Sequence, residues 1–212
     1  MSFETISLYT VVAFFYITSP GPAIFLAIAN GLRADMETVA ISSLANILGL
    51  AVLSTASILG LGAIITTSAT LFLIVKVIGA LYLIYLGIKF IRNNKGINVD
   101  AQLEKIERVK SKKEYFREAF FLAVTNPKPI LFFTAIFPQF LNHQSPILPQ
   151  FLTMTLIFLT ISFSSLFAYG YIAKKSKRVL SNAKRMNWFN KITGAIFISI
   201  GIGLLQLKRV EA

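Results

Sequence analysis

Apolar residues run along this chain in long blocks, and polar residues are confined to the gaps between them. A helix needs about 17–25 predominantly apolar residues to cross a bilayer. Six such blocks lie near residues 5–29, 40–66, 70–91, 118–141, 147–172 and 190–207. The second and third are joined by "TTSAT" (66–70), and the fourth and fifth by "NHQSP" (142–146). Gaps this short make neighbouring helices run antiparallel. The pattern predicts an all-α membrane protein with six transmembrane helices in a single transmembrane domain over residues 1–212. No linker is long enough to hold a separate soluble domain.

Two blocks are interrupted. "TNPKP" (125–129) places an amide, a cation and two prolines in the middle of the fourth block, and "TSPGP" (18–22) interrupts the first. Proline lacks a backbone donor and clashes with the carbonyl four residues earlier. Two prolines spaced by one residue, Pro20-Gly21-Pro22 and Pro127-Lys128-Pro129, therefore predict broken helices 1 and 4, where a single proline would only kink them. The freed backbone groups must face protein or a water-filled cavity.

The two interruptions also align. Laying 14–25 on 121–132 matches Phe14, Thr18, Pro20, Pro22 and Phe25 with Phe121, Thr125, Pro127, Pro129 and Phe132. Further on, "KVIGAL" (76–81) matches "KITGAI" (191–196). These matches, in the same order, predict a duplicated three-helix unit: repeat 1 over about residues 1–92, a cytoplasmic linker over about 93–117, and repeat 2 over about 118–212. Three is odd, so the second copy enters the membrane from the opposite side. Inverted repeats of this kind underlie many secondary transporters, with the substrate held near the midplane at broken helices.

Composition supports the membrane reading. Hydrophobic residues make up 55% of the chain and charged residues 14%, against about 25% charged in a soluble domain. The net charge of +12 is explained by topology. Arg33, then the run from Arg92 to Arg117, then Lys174, Lys175, Lys177, Arg178, Lys184, Arg185 and Lys191 all fall in gaps on one side of the predicted bundle. Only Lys208 and Arg209 fall on the other. The positive-inside rule puts the basic gaps in the cytoplasm and both termini outside. No basic face remains for nucleic acid. The chain begins "MSFET", with Glu4 and no basic residue, so its first block is expected to remain as a helix rather than serve as a signal peptide. In the 92–117 gap, Leu103, Ile106 and Val109 step by three and Glu104 pairs with Arg108. This fits either a short helix on the lipid surface or a solvated linker. Trp188 is expected as an interfacial anchor.

Candidate chemistry is sparse. There is no cysteine, and the only histidine is His143. No Ser/His/Asp, HExxH or paired-carboxylate set sits at membrane depth, so no catalytic residue, metal or cofactor is expected. Lys128 lies roughly 15 Å of helix rise into its block, near the middle of a ~30 Å core. An isolated lysine there costs at least ~2.5–3.5 kcal/mol, and no carboxylate lies deep in any block. It must be met by freed carbonyls, by Asn46 or by a substrate carboxylate. A lysine satisfied by carbonyls alone, holding the broken helix in shape, is the other reading. Lys76 is expected to snorkel toward the outer surface. Ser42, Asn46 and Gly49 share one helix face, as do Thr155, Ser162, Ser165 and Tyr169. The candidate substrate-binding residues are Pro20, Gly21, Pro22, Asn46, Asn126, Pro127, Lys128 and Pro129.

The chain resembles the LysE/RhtB superfamily of bacterial amino-acid exporters. The resemblance rests on "SPGPAI" (19–24), "KVIGALYLIYLGIKFIR" (76–92), "TNPKPILFFTAIFPQF" (125–140) and "NKITGAIFISIGIGL" (190–204). It implies a multi-pass exporter in the bacterial cytoplasmic membrane, driven by the proton gradient, with both proline motifs lining the substrate site. It implies an amino acid or close derivative as substrate, of the homoserine/threonine type. Two features depart from the family pattern: span 2 reads "ISSLANILGL", with less glycine, and span 5 reads "TISFSSLFAYGY", without an acidic residue. A channel-like passive facilitator, or an exporter of another small metabolite, has the same fold. Small-residue spacings such as Ala51/Thr55 permit a homodimer without marking its face.

Overall fold

A computed structural model describes residues 1–67, 69–92, 110–142, 144–175 and 183–206. All regular structure among these is helical: α1 (Phe3–Thr18), α2 (Pro22–Arg33), α3 (Met36–Thr67), α4 (Ala69–Arg92), α5 (Lys112–Thr125), α6 (Pro127–Leu131), α7 (Ile147–Lys175) and α8 (Ala183–Gln206). A π-helical turn (Phe132–Ile136) and a 3-10 turn (Phe137–Phe140) follow α6. His143, the 103–109 stretch and the terminal Lys208 and Arg209 lie outside the described residues.

Both interruptions break their helices where the prolines predict. The axes of α1 and α2 differ by 57°, and α5 and the segment Pro127–Phe140 differ by 40°. Helix α3 over Met36–Gly60 and all of α7 are each long and apolar enough to cross a membrane, and each bent pair reaches that standard when taken together. Over their described residues α4 and α8 do not meet it.

Local chemistry sets the ends of these elements. Ser2 caps α1 through the Thr5 amide (3.2 Å). Ser111 and Glu114 form a reciprocal capping box, which satisfies two otherwise orphaned amides. That box starts α5 at Lys112, ahead of the apolar block expected from 118. The charged first turn is a genuine helix end, invisible to a search for apolar runs. Lys112 also pairs with Glu37 at the start of α3 (2.6 Å).

The core lies between α1, α7 and the irregular segment after α6. Tyr9, Tyr16, Phe132, Phe133, Phe158 and Phe197 are buried there, with Tyr16, Phe132 and Phe158 rings in successive contact. Tyr9 donates to the Met154 carbonyl (3.0 Å), pinning α1 to α7. Backbones come close at glycine pairs: a Cβ on Gly31 would lie 2.0 Å from the Gly170 carbonyl oxygen, and one on Gly194 would lie 2.5 Å from that of Gly87. Small residues allow this approach between membrane helices. Large apolar side chains meanwhile project outward along whole helix faces, among them Leu44, Leu48 and Val52 on α3 and Leu148, Leu152 and Leu156 on α7. Stripes of this extent suit lipid better than water.

Lys76 differs from its expected snorkelling. Its side chain is buried in the bundle, one helical turn before Gly79, where α4 presses on the Ala135 backbone.

Candidate functional site

The two breaks face each other. The first forms because Pro20 and Pro22 flank a residue, Gly21, that stands as the N-cap of α2 in extended conformation. The last amide that still bonds back into α1 belongs to Ser19, which donates to Phe15 (3.1 Å). At the second break Asn126 closes α5 and opens α6, and its side-chain oxygen accepts from the Lys128 amide (3.0 Å).

Lys128 bridges them. Its ammonium donates to the Ser19 carbonyl and to the Ser19 hydroxyl oxygen, each at 2.8 Å, and lies 5.0 Å from the centre of the Tyr16 ring. In return the Tyr16 hydroxyl donates to the Lys128 carbonyl. The lysine stem crosses Gly21: a Cβ there would stand 3.4 Å from Lys128 Cδ and 3.7 Å from Nζ. Freed carbonyls in the first break are taken up as the bilayer requires. Thr18 accepts from the Tyr169 hydroxyl (2.9 Å) and Tyr16 from the Ser19 hydroxyl (2.7 Å). The π-helical turn beyond α6 frees another, at Phe133, which accepts from Ser57 (2.6 Å).

A small cavity of about 50 Å³ opens beside this junction. Of the residues expected from the sequence, Gly21, Asn46, Asn126, Lys128 and Pro129 line it. Pro20, Pro22 and Pro127 shape the breaks without lining the cavity. Tyr16, Ser19 and Ser162 line it too, with an apolar wall that includes Leu50, Phe158 and Leu166. Ser162 belongs to the polar face anticipated on span 5. Ser19 and Tyr16 were missed, although Ser19 stands beside the first proline as the only hydroxyl in "SPGP". Among the described residues, no aspartate or glutamate lines the cavity.

The polar groups divide by how they are engaged. Asn126 is occupied as a cap. The start of α6 offers no free amide, because Pro127 and Pro129 have none, Lys128 donates to Asn126, and Ile130 donates to the Asn126 carbonyl. The start of α2 has no side-chain cap, and Gly21, Ala23 and Ile24 all line the cavity. Asn46 is 4% exposed and lines the cavity. Its amide, donor and acceptor in one group, is placed there to meet a ligand. Ser42, one turn earlier on α3, is held by Asn30 (2.9 Å).

Apolar outward faces, two broken helix pairs and a polar junction at the breaks are those of a multi-pass membrane protein. The pattern described as "LysE type translocator" matches residues 14–208, and the chain belongs to that family. It is 29% identical to the homoserine/homoserine lactone efflux protein of Salmonella typhi, over 98% of this chain and 99% of that one. An uncharacterized membrane protein of Vibrio cholerae is 30% identical over 94% of this chain and 96% of its own. YrhP, an uncharacterized membrane protein of Bacillus subtilis, is 31% identical over 92% and 95%. No solved structure matches the chain.

Proposed function

We propose that the protein exports small neutral amino acids or their close derivatives across the bacterial cytoplasmic membrane by alternating access. The observation that carries this reading is the pairing of a cation, Lys128, with a cavity that has no carboxylate among the described residues of its lining. A substrate carboxylate finds a positive partner there, helped by the uncapped amides at the start of α2, where the helix dipole favours negative charge. The substrate ammonium is met by the side-chain oxygen of Asn46 and by backbone carbonyls. A second positive charge on the substrate would find no counter-ion, so lysine and arginine are poor candidates. Membership of the translocator family supports the reading, and so does the efflux of homoserine and homoserine lactone named for the Salmonella relative.

In this reading six helices cross the bilayer as two inverted repeats, about 1–92 and 118–212, with both termini outside. The paired helices α4 and α8 serve as spans 3 and 6, and the breaks of α1/α2 and α5/α6 lie near the midplane. Export is proton-coupled, with no acidic residue in the cavity lining to carry the proton.

The test is efflux from proteoliposomes loaded with single labelled amino acids. Homoserine, threonine or leucine should leave faster than lysine or arginine, and collapse of the proton gradient should slow them. Faster export of the cationic amino acids would overturn the substrate class.

A further inference from the structure

We propose that Ser19 is an internal stand-in for the substrate's carboxylate: it occupies Lys128 until the substrate displaces it, and so sets the concentration at which substrate binds. The inference rests on the export reading above and adds to it a residue that tunes affinity without touching the substrate.

Three features of the junction carry it. Two oxygens of one residue, the carbonyl and the hydroxyl of Ser19, lie at the same 2.8 Å from one ammonium. A carboxylate would present two oxygens to a lysine in much the same way. Ser19 is also fully buried and positioned by its own hydrogen bonds, the hydroxyl donating to Tyr16 and the amide to Phe15. One hydroxyl hydrogen is thereby used, leaving its lone pairs to accept from Lys128. Finally, both Ser19 oxygens are uncharged. Hydrogen bonds between two ionised groups are stronger than those with a neutral partner, so a substrate carboxylate outcompetes Ser19 while Lys128 is never left unsatisfied.

Such competition lies within the protein and has a specific signature. When the binding-competent arrangement is only a fraction of the population, the apparent affinity for every ligand falls by that same fraction. Weakening the Ser19 contact must therefore tighten all substrates alike. A residue that touched substrate would affect each one differently, and would weaken binding when removed. Displacing Ser19 also removes one of the two ties between the breaks, leaving the bond from the Tyr16 hydroxyl to the Lys128 carbonyl, which links substrate binding to relative movement of the two breaks.

The experiment measures KM for homoserine and for threonine, both of which carry a free carboxylate, by counterflow in proteoliposomes, comparing wild type with Ser19→Ala, Ser19→Cys and Ser19→Thr. Ser19→Ala removes one of two acceptors from Lys128, and KM should fall about threefold to tenfold, by the same factor for both compounds. Ser19→Thr, which keeps the hydroxyl, should return KM toward the wild-type value. If the alanine variant fails to insert, Ser19→Cys, close in size and a poorer acceptor, should shift KM in the same direction. A KM that rises or stays fixed in Ser19→Ala or Ser19→Cys, or that moves differently for the two compounds, overturns the inference and leaves the export reading intact. Wild-type protein that carries neither compound overturns both.

Discussion

Lys128 Nζ sits 2.8 Å from the carbonyl oxygen and 2.8 Å from the hydroxyl oxygen of Ser19, so a side chain from the second broken helix satisfies the first. Each break alone would be costly in a bilayer: one strands carbonyls, the other strands a cation. Facing each other, they solve both problems. Gly21 allows this, because the lysine stem passes over the position a larger residue would fill. The asymmetry between "SPGP" and "NPKP" is thus complementarity across the junction, room on one side and charge on the other.

The two cavity asparagines should separate when mutated. Asn126 caps α6, and Asn126→Ala should cost about 1 kcal/mol of stability, read as a lower melting temperature in detergent, with Asn126→Ser recovering most of it. Asn46 lies within α3 and lines the cavity. Asn46→Ala should leave melting nearly unchanged and raise the KM for homoserine about fivefold to tenfold. Equal effects of the two substitutions on KM would contradict this division.

Close backbone packing predicts which glycines cannot change. Gly31→Ala places a methyl 2.0 Å from the Gly170 carbonyl oxygen, and overpacking of this kind costs about 1–3 kcal/mol or more. Thermal unfolding of the detergent-solubilised variant should show a clear loss. Gly60→Ala is the matched control, since nothing lies within 4 Å of its Cβ position, and removing a helical glycine gains roughly 0.5–1 kcal/mol.

Acid should weaken the turn between α2 and α3. The Asp35 carboxyl is held below its ordinary range by hydrogen bonds from Thr38, side chain and amide, with Lys112 and Lys174 adding smaller attractions. A lowered folded-state pKa contributes stability that is present above the ordinary carboxylate value and is lost as pH falls through the lowered one. Between pH 7 and pH 3 the wild type should therefore lose more melting temperature than Asp35→Asn. Identical pH profiles would show that this carboxylate is not involved.

Much of this was readable from residue order, and the remainder has physical reasons for being hidden. Helix breaks at 19–21 and 126 follow from proline's missing donor, a purely local effect. The start of α5 was placed late because a capping box and a charged first turn, Ser111 to Glu114, carry no apolar signal. Asn126 lines the cavity and also caps α6 through the Lys128 amide, a local role that an asparagine before proline permits without announcing. Lys76 looked free to snorkel because burial depends on how α4 packs, which spacing alone does not define. The Lys128–Ser19 bond was out of reach for the same reason: it joins residues more than a hundred positions apart, and only the opposition of the two breaks creates it.

The central claim is that Lys128 binds the exported compound's carboxylate. Homoserine efflux from proteoliposomes holding equal amounts of wild-type and Lys128→Met protein tests it most directly, with each protein first checked for membrane insertion and a single species in detergent. Losing a hydrogen-bonded charge at a desolvated contact costs about 2–5 kcal/mol, so efflux by the variant should fall at least ~30-fold while insertion is retained. An inserted, well-behaved Lys128→Met protein that exports homoserine at close to the wild-type rate would contradict the account and leave the lysine with a purely structural role.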